Sequence, residues 1–111
     1  MRRVDEAVRE VLGDAVNQDL KDPRVGFVTV TEVRTSADLR QARVFVSVFG
    51  TAEEQAATLE GLASAHGILQ GRIARELRMK RTPALQFMLD DTAEKAAKLE
   101  AIIEDVTEDE D

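Results

Sequence analysis

The chain predicts a two-layer α+β domain, a three-stranded sheet packed beneath its helices. Three observations carry that reading. Apolar residues recur with helical period near the N-terminus. They then alternate with strand period on both sides of a turn at Ser36-Ala37-Asp38-Leu39, and a second helical stretch leads into a third alternating run. The resulting order is α-β-β-α-kink-α-β-α.

The first helix is expected over about residues 3–19, where Val4, Val8, Val11, Leu12, Ala15 and Val16 share one face. Gly13 lies inside it, at a cost of about 1 kcal/mol relative to alanine. Asp22-Pro23 stops it, because proline disfavours the helical region for the residue before it and donates no amide hydrogen. Strands rich in Val, Thr and Phe follow over about residues 26–34 and 41–49. In the second, Ala42, Val44, Val46 and Val48 form one face and Arg43, Phe45, Ser47 and Phe49 the other. The second face is therefore expected to be partly covered or a contact surface; Phe45 and Phe49 could stack on RNA bases, but the four phenylalanines of the chain are assigned in the first place to the core. Asp22 and Asp38 sit in turns, where a carboxylate caps backbone amides.

Thr51-Ala52-Glu53-Glu54 has the spacing of a capping box and opens a helix that runs to about Ala65. Ala65-His66-Gly67 breaks it. Leu69, Ile73 and Leu77 then resume a helical stripe on a different phase. Thr82-Pro83 ends that arm, and Leu85, Phe87 and Leu89 alternate as a third strand. Asp91-Thr92-Ala93-Glu94 offers a second capping box for a final helix carrying Ala96, Leu99, Ile103 and Val106. Residues 1–106 are read as one domain, and the acidic residues 107–111 as a disordered tail.

Hydrophobic content of 43% beside 33% charge suits a folded soluble domain. No apolar run approaches the ~20 residues that span a bilayer, and no signal-peptide core is seen, so the expected compartment is the cytoplasm. With no cysteine and one histidine, disulfides and a Cys/His metal site are excluded, and no nucleophile–base pair is visible. No enzyme and no cofactor are expected.

A net charge of −7 argues at first against nucleic acid, but its distribution points the other way. Residues 1–49 balance eight basic against eight acidic side chains. Residues 68–83 hold Arg72, Arg75, Arg78, Lys80 and Arg81 against Glu76 alone, while residues 90–111 hold ten acids against Lys95 and Lys98. Local field, more than total charge, decides where a polyanion docks. On a helical wheel Arg75 lies nearly opposite the Leu69-Ile73-Leu77 stripe, and Arg72 and Arg78 flank it, all three pointing outward. Guanidinium groups match phosphate geometry, so Arg72, Arg75, Arg78, Lys80 and Arg81 are candidate RNA contacts, with Arg40 and Arg43 on the hairpin extending the footprint. His66 is expected as an exposed kink residue that contacts RNA or simply faces solvent.

The order of elements resembles the KH fold of the second type, which implies a sheet of mixed strand direction. Several motifs narrow the resemblance to the bacterial ribosome-binding factor A family. These are Asp22-Pro23-Arg24, Val28-Thr29-Val30-Thr31-x-Val33, Ser36-x-Asp38-Leu39, Ala42-x-Val44-x-Val46-Ser47, Ala65-x-Gly67 and Thr82-Pro83-x-Leu85-x-Phe87 followed by Asp90. Together they cover about residues 2–105 in the family's order. The resemblance implies a non-catalytic assembly factor that binds the free 30S ribosomal subunit and its 16S rRNA. It further implies help in late maturation and precursor processing, release by a maturation GTPase, and action as a monomer.

A standard KH domain grips phosphates with a Gly-x-x-Gly loop. This chain has Gly67-Ile68-Leu69-Gln70-Gly71, one residue too long, and the Ala65-His66-Gly67 kink stands in its place. Gly67 either permits the bend or lets RNA approach the backbone. A second reading makes the chain a protein-binding regulator that recruits a basic partner through its acidic final helix and tail.

Overall fold

The computed structural model describes residues 2–92. Six elements follow in order: α1 (Arg2–Gln18), β1 (Val28–Thr35), β2 (Gln41–Val48), α2 (Ala52–Ser64), α3 (His66–Leu77) and β3 (Ala84–Leu89). The final helix expected from Thr92 onward and the acidic tail lie outside the described residues.

The sheet has the order β1-β2-β3, with β1 antiparallel and β3 parallel to β2. This is the mixed sheet expected from the KH resemblance. The parallel pairing follows from the connection, because two helices must carry the chain back across one face before β3 can enter beside β2. That face holds the core. Val8, Leu12 and Ala15 of α1 meet Val28, Val30, Val33, Val44 and Val46 of the sheet, and Leu62, Leu69 and Ile73 close it from α2 and α3. Each fully buried Val, Leu or Ile side chain among these contributes about 1.5–3 kcal/mol.

β1 contains a correction to simple alternation. Val28, Val30 and Val33 all face the core, although the spacing from Val30 to Val33 should invert the last of them. The register shifts between Val30 and Glu32, leaving Thr31 as the extra residue of a β-bulge that restores the phase. Strand β1 also begins two residues later than expected. Gly26 turns its amide toward the Thr58 hydroxyl at 3.5 Å instead of joining the ladder. Thr58 is buried, and its hydroxyl donates to the Arg24 carbonyl at 3.1 Å, which docks the connecting loop onto α2.

The assignment of phenylalanine to the core holds in part for Phe87, which packs against the core, and is overturned for Phe27, Phe45 and Phe49. The core is built of Val, Leu, Ile and Ala. Phe87 is only partly buried and Phe45 half-buried on the outer face, while Phe27 and Phe49 are 75% and 88% exposed. Small branched residues already fill the narrow space between one sheet face and its helices, so the rings are displaced to the margins.

The Thr51 capping box forms as expected. The Thr51 hydroxyl accepts from the Glu54 amide at 3.1 Å, and Glu54 accepts from the Thr51 amide at 3.2 Å. The break falls on Ala65, buried at φ −88° and ψ 9° between α2 and α3. Its amide donates back to Gly61 and Leu62, and its carbonyl accepts from Leu69, so the second helix starts at once.

Candidate nucleic-acid interface

The Ser36–Leu39 turn organises one end of the sheet. The Ser36 hydroxyl donates to Asp38 Oδ1 at 2.6 Å, the same oxygen accepts from the Arg40 amide at 3.1 Å, and the Gln41 amide donates to Ser36 Oγ at 3.1 Å. Leu39 adopts the left-handed region at φ 59° to close it. The Ser36 hydroxyl, and then the Arg40 amide, hold the Asp38 carboxyl below its ordinary range. Asp22 caps similarly, accepting from the Arg24 amide at 2.9 Å while its carboxylate also binds the Arg24 guanidinium. The turn assignments of both aspartates therefore hold.

Because β3 runs parallel to β2, its first residue lies beside this turn. Ala84 pairs with Gln41, and the Ala84 amide donates to the Arg40 carbonyl at 2.8 Å. The basic connection carrying Arg78, Lys80 and Arg81 thus arrives next to Arg40. Arg43 stands on the outer sheet face in register with Arg34 of β1 and Gln86 of β3. A cleft of about 430 Å³ opens here, lined by Arg34, Ser36, Gln41, Arg43 and Gln86 among others. Among the described residues Arg43, Arg75, Arg78, Lys80 and Arg81 are exposed and have no ion-pair partner. Arg40 reaches Asp38 only at 4.0 Å, with both side chains mostly in solvent. Arg34, in register with Arg43, is ion-paired with Glu32 at 2.9 Å, which leaves Arg43 as the available cation of this pair.

Arg72 departs from its expected outward orientation. Its Nη1 donates to both carboxylate oxygens of Asp19 at 2.8 Å, its Nε donates to Glu76, and its side chain is only 19% exposed. The Glu76 and Asp19 bonds hold its proton more tightly than usual. It clamps α3 to the end of α1, so its charge is spent inside the fold. Arg78 also differs from its place on the wheel. The helix ends at Leu77, and Arg78 is the left-handed cap at φ 53°.

His66 is not the exposed residue anticipated from the sequence. It is half-buried, and its Nε2 accepts from the Leu85 amide at 2.9 Å, fixing the kink against the start of β3. Gln70 adds a second tie, donating to the Pro83 carbonyl at 2.8 Å. Gly67 is exposed in the first turn of α3, its φ is not positive, and a Cβ there would meet nothing within 4 Å. Ala65, not Gly67, therefore makes the bend. What Gly67 leaves is a stretch of bare backbone on the surface.

Two contributors were missed in the sequence. Arg34 lies over the Phe45 ring at 5.6 Å and pairs with Glu32 at 2.9 Å. Its equal distance from the turn would have placed it opposite Arg43. Asp90, quoted only as part of a motif, accepts from the Thr31 hydroxyl at 2.6 Å and the Thr92 amide at 3.0 Å. Its amide also bonds the Val46 carbonyl at 2.7 Å, so the end of β3 is tied across β2 to the bulge of β1. The Thr31 hydroxyl, followed by Thr92, lowers the Asp90 pKa to about 2. No signal within one strand points to that pairing. Among the described residues no group of three or more His, Cys, Asp or Glu could hold a metal ion, and no helix is long and apolar enough to cross a membrane.

Residues 1–103 match the family model for ribosome-binding factor A. The chain belongs to the ribosome-binding factor A family. It is 42% identical over 105 residues to ribosome-binding factor A of Brevibacillus brevis, covering 95% of this chain and 87% of that one. Its 39% identity to the Clavibacter michiganensis protein of the same name covers 94% of this chain but 63% of the longer relative. The fold superposes on the crystal structure of ribosome-binding factor A from Thermus thermophilus with a TM-score of 0.71 at 32% identity, covering 79% of this chain and 92% of that one. It also superposes on a Thermus thermophilus ribosome-binding factor A homology model fitted into a cryo-EM map of its 30S complex. There the TM-score is 0.65 at 32% identity, with 78% of this chain and 91% of that one covered.

Proposed function

We propose that this chain is a non-catalytic assembly factor that binds the free 30S subunit through its 16S rRNA and assists late maturation and precursor processing. One observation carries the reading most. Exposed cations from separate segments converge at the turn end of the sheet: Arg43 on β2 and Lys80 and Arg81 before β3, none with an ion-pair partner among the described residues, and Arg40 in the turn, only loosely paired with Asp38 at 4.0 Å. The half-buried kink at His66 is tied to the same end through Leu85. Phosphate contacts need cations that are exposed and not already neutralised, which this end supplies in an otherwise acidic chain. The complex recorded for the Thermus thermophilus relative supports the choice of the 30S subunit.

In this reading Arg40, Arg43, Lys80 and Arg81 form the main footprint, and Arg75 and Arg78 extend it along α3. Arg72 positions α3. The factor works in the cytoplasm as a monomer, with residues 1–106 as its domain and 107–111 as a tail, and a maturation GTPase releases it. Sedimentation tests the proposal: the full chain should travel with free small subunits and remain at the top of the gradient with complete ribosomes. Equal travel with both, or with neither, would overturn it.

A further inference from the structure

The end of the sheet opposite the cationic turn carries an exposed aromatic pair that the RNA reading does not use. The β1–β2 register ends at Val28–Val48, so Phe27 and Phe49 stand one step further along the two strands. Both rings are largely in solvent, at 75% and 88% exposure. Single exposed apolar residues are ordinary, but two largely exposed aromatic residues flanking the end of one strand pair mark a contact surface. The charge around them is acidic. Phe27 lines a groove of about 430 Å³ between α1 and the edge of β1, together with Glu10 and Asp14 and with Arg9 as the cation present. On the Phe49 side, Glu54 lies over Gly50, where a Cβ would come within 3.1 Å of its carboxylate, and Glu53 precedes it in the first turn of α2.

We infer that this Phe27–Phe49 end docks a basic, apolar-anchored segment of a protein partner. Phosphates are disfavoured by the acidic surround, whereas lysine and arginine flanking an apolar anchor complement it. The same charge argument disfavours the chain's own residues 93–111, which hold eight acids against Lys95 and Lys98, and a second copy of net charge −7. Among the described strands β1 is an edge strand, whose outer side offers backbone groups to an extended segment. The inference does not rest on the RNA reading, since it uses none of the cations at the turn end.

Nuclear magnetic resonance on the full isotope-labelled chain tests it, with a short basic peptide carrying a leucine pair as probe. A glutamate-substituted twin and a short uridine oligomer are the controls. Amides at Phe27, Thr29, Phe49 and Gly50 should shift with the basic peptide alone. The Phe27→Ser/Phe49→Ser variant should weaken that binding by about tenfold or more, as truncation of anchor residues does. Both substitutions are at exposed positions, so the melting profile should be retained. The Asp14→Lys/Glu53→Lys variant, which keeps both rings, should weaken the basic peptide as well. Equal shifts with the glutamate twin, or shifts away from both rings, would overturn the assignment. Shifts with the uridine oligomer would make the rings a base-stacking surface. In the free protein, ring contacts to Leu99 or Ile103 would make the chain's own C-terminal segment the occupant, and concentration-dependent shifts would make it a second copy. Each of those results refutes the proposal.

Discussion

Reversing Arg40, Arg43, Lys80 and Arg81 to glutamate tests whether the turn end binds rRNA, and its magnitude can be worked from the structure. None of the four is buried, and among the described residues only Arg40 of the four has an ion-pair partner, Asp38 at 4.0 Å. An exposed pair of that kind contributes about 0–1 kcal/mol, so the fold should survive. Arg43→Glu also removes a like-charge contact with Arg34, with which it is in register. If each cation neutralises one phosphate, counterion release gives each a salt slope of about 0.7–0.9. Four contacts then account for an affinity loss of about 50- to 150-fold between 50 and 200 mM salt, a loss that the parent should show and the variant should lack. The assay is sedimentation with free small subunits across a salt series, with circular dichroism confirming both folds. Arg72→Gln is the informative control. It releases Asp19 and Glu76, so it should lower the melting temperature while leaving the salt slope intact. A folded quadruple variant that binds with the parent's slope would refute the footprint and move it along α3 to Arg75 and Arg78.

Gly67→Ala should leave the fold intact and add at most ~1 kcal/mol, because the new methyl meets no neighbour and alanine favours a helix. Subunit affinity should nevertheless fall if RNA approaches the bare backbone, and an unchanged affinity would make Gly67 irrelevant to binding. Gly61→Ala should destabilise, because its Cβ would stand 2.6 Å from Val25 Cγ2. Overpacking of about 1–3 kcal/mol exceeds the ~1 kcal/mol helix gain, and adding Val25→Ala should relieve it; a higher melting temperature for the single variant would contradict the close approach. Asp90 titrates near 2 in the fold against an ordinary 3.8, so its stabilisation is present above 3.8 and fades as pH falls through 2. Denaturant midpoints of Asp90→Asn should therefore fall less steeply than those of the parent between pH 4 and pH 2, and parallel curves would show that the Thr31 bond does not hold the proton off.

Much of the fold is legible in the chain because it depends on neighbours close in sequence. The α1 stripe, the Thr51–Glu54 box, the alternation along β2 and the turn bonds of Ser36 and Asp38 all join residues within a few positions, where helical and strand periods act directly. The belt of cations over residues 68–83 was equally visible as composition. What each cation does was not. Arg72 and Arg78 look alike on a wheel, yet only packing against α1 brings Asp19 to Arg72, 53 positions away in sequence. His66 changes from an exposed ring to a structural acceptor because the parallel entry of β3 delivers the Leu85 amide to it. The bulge at Thr31 and its bond to Asp90, 59 positions apart, likewise exist only once three strands share a sheet. Local pattern determined which elements form and which faces are apolar. Tertiary structure decided which charges are neutralised and which remain free, because an ion pair depends on distance in space, and the return of the chain across the sheet sets that distance.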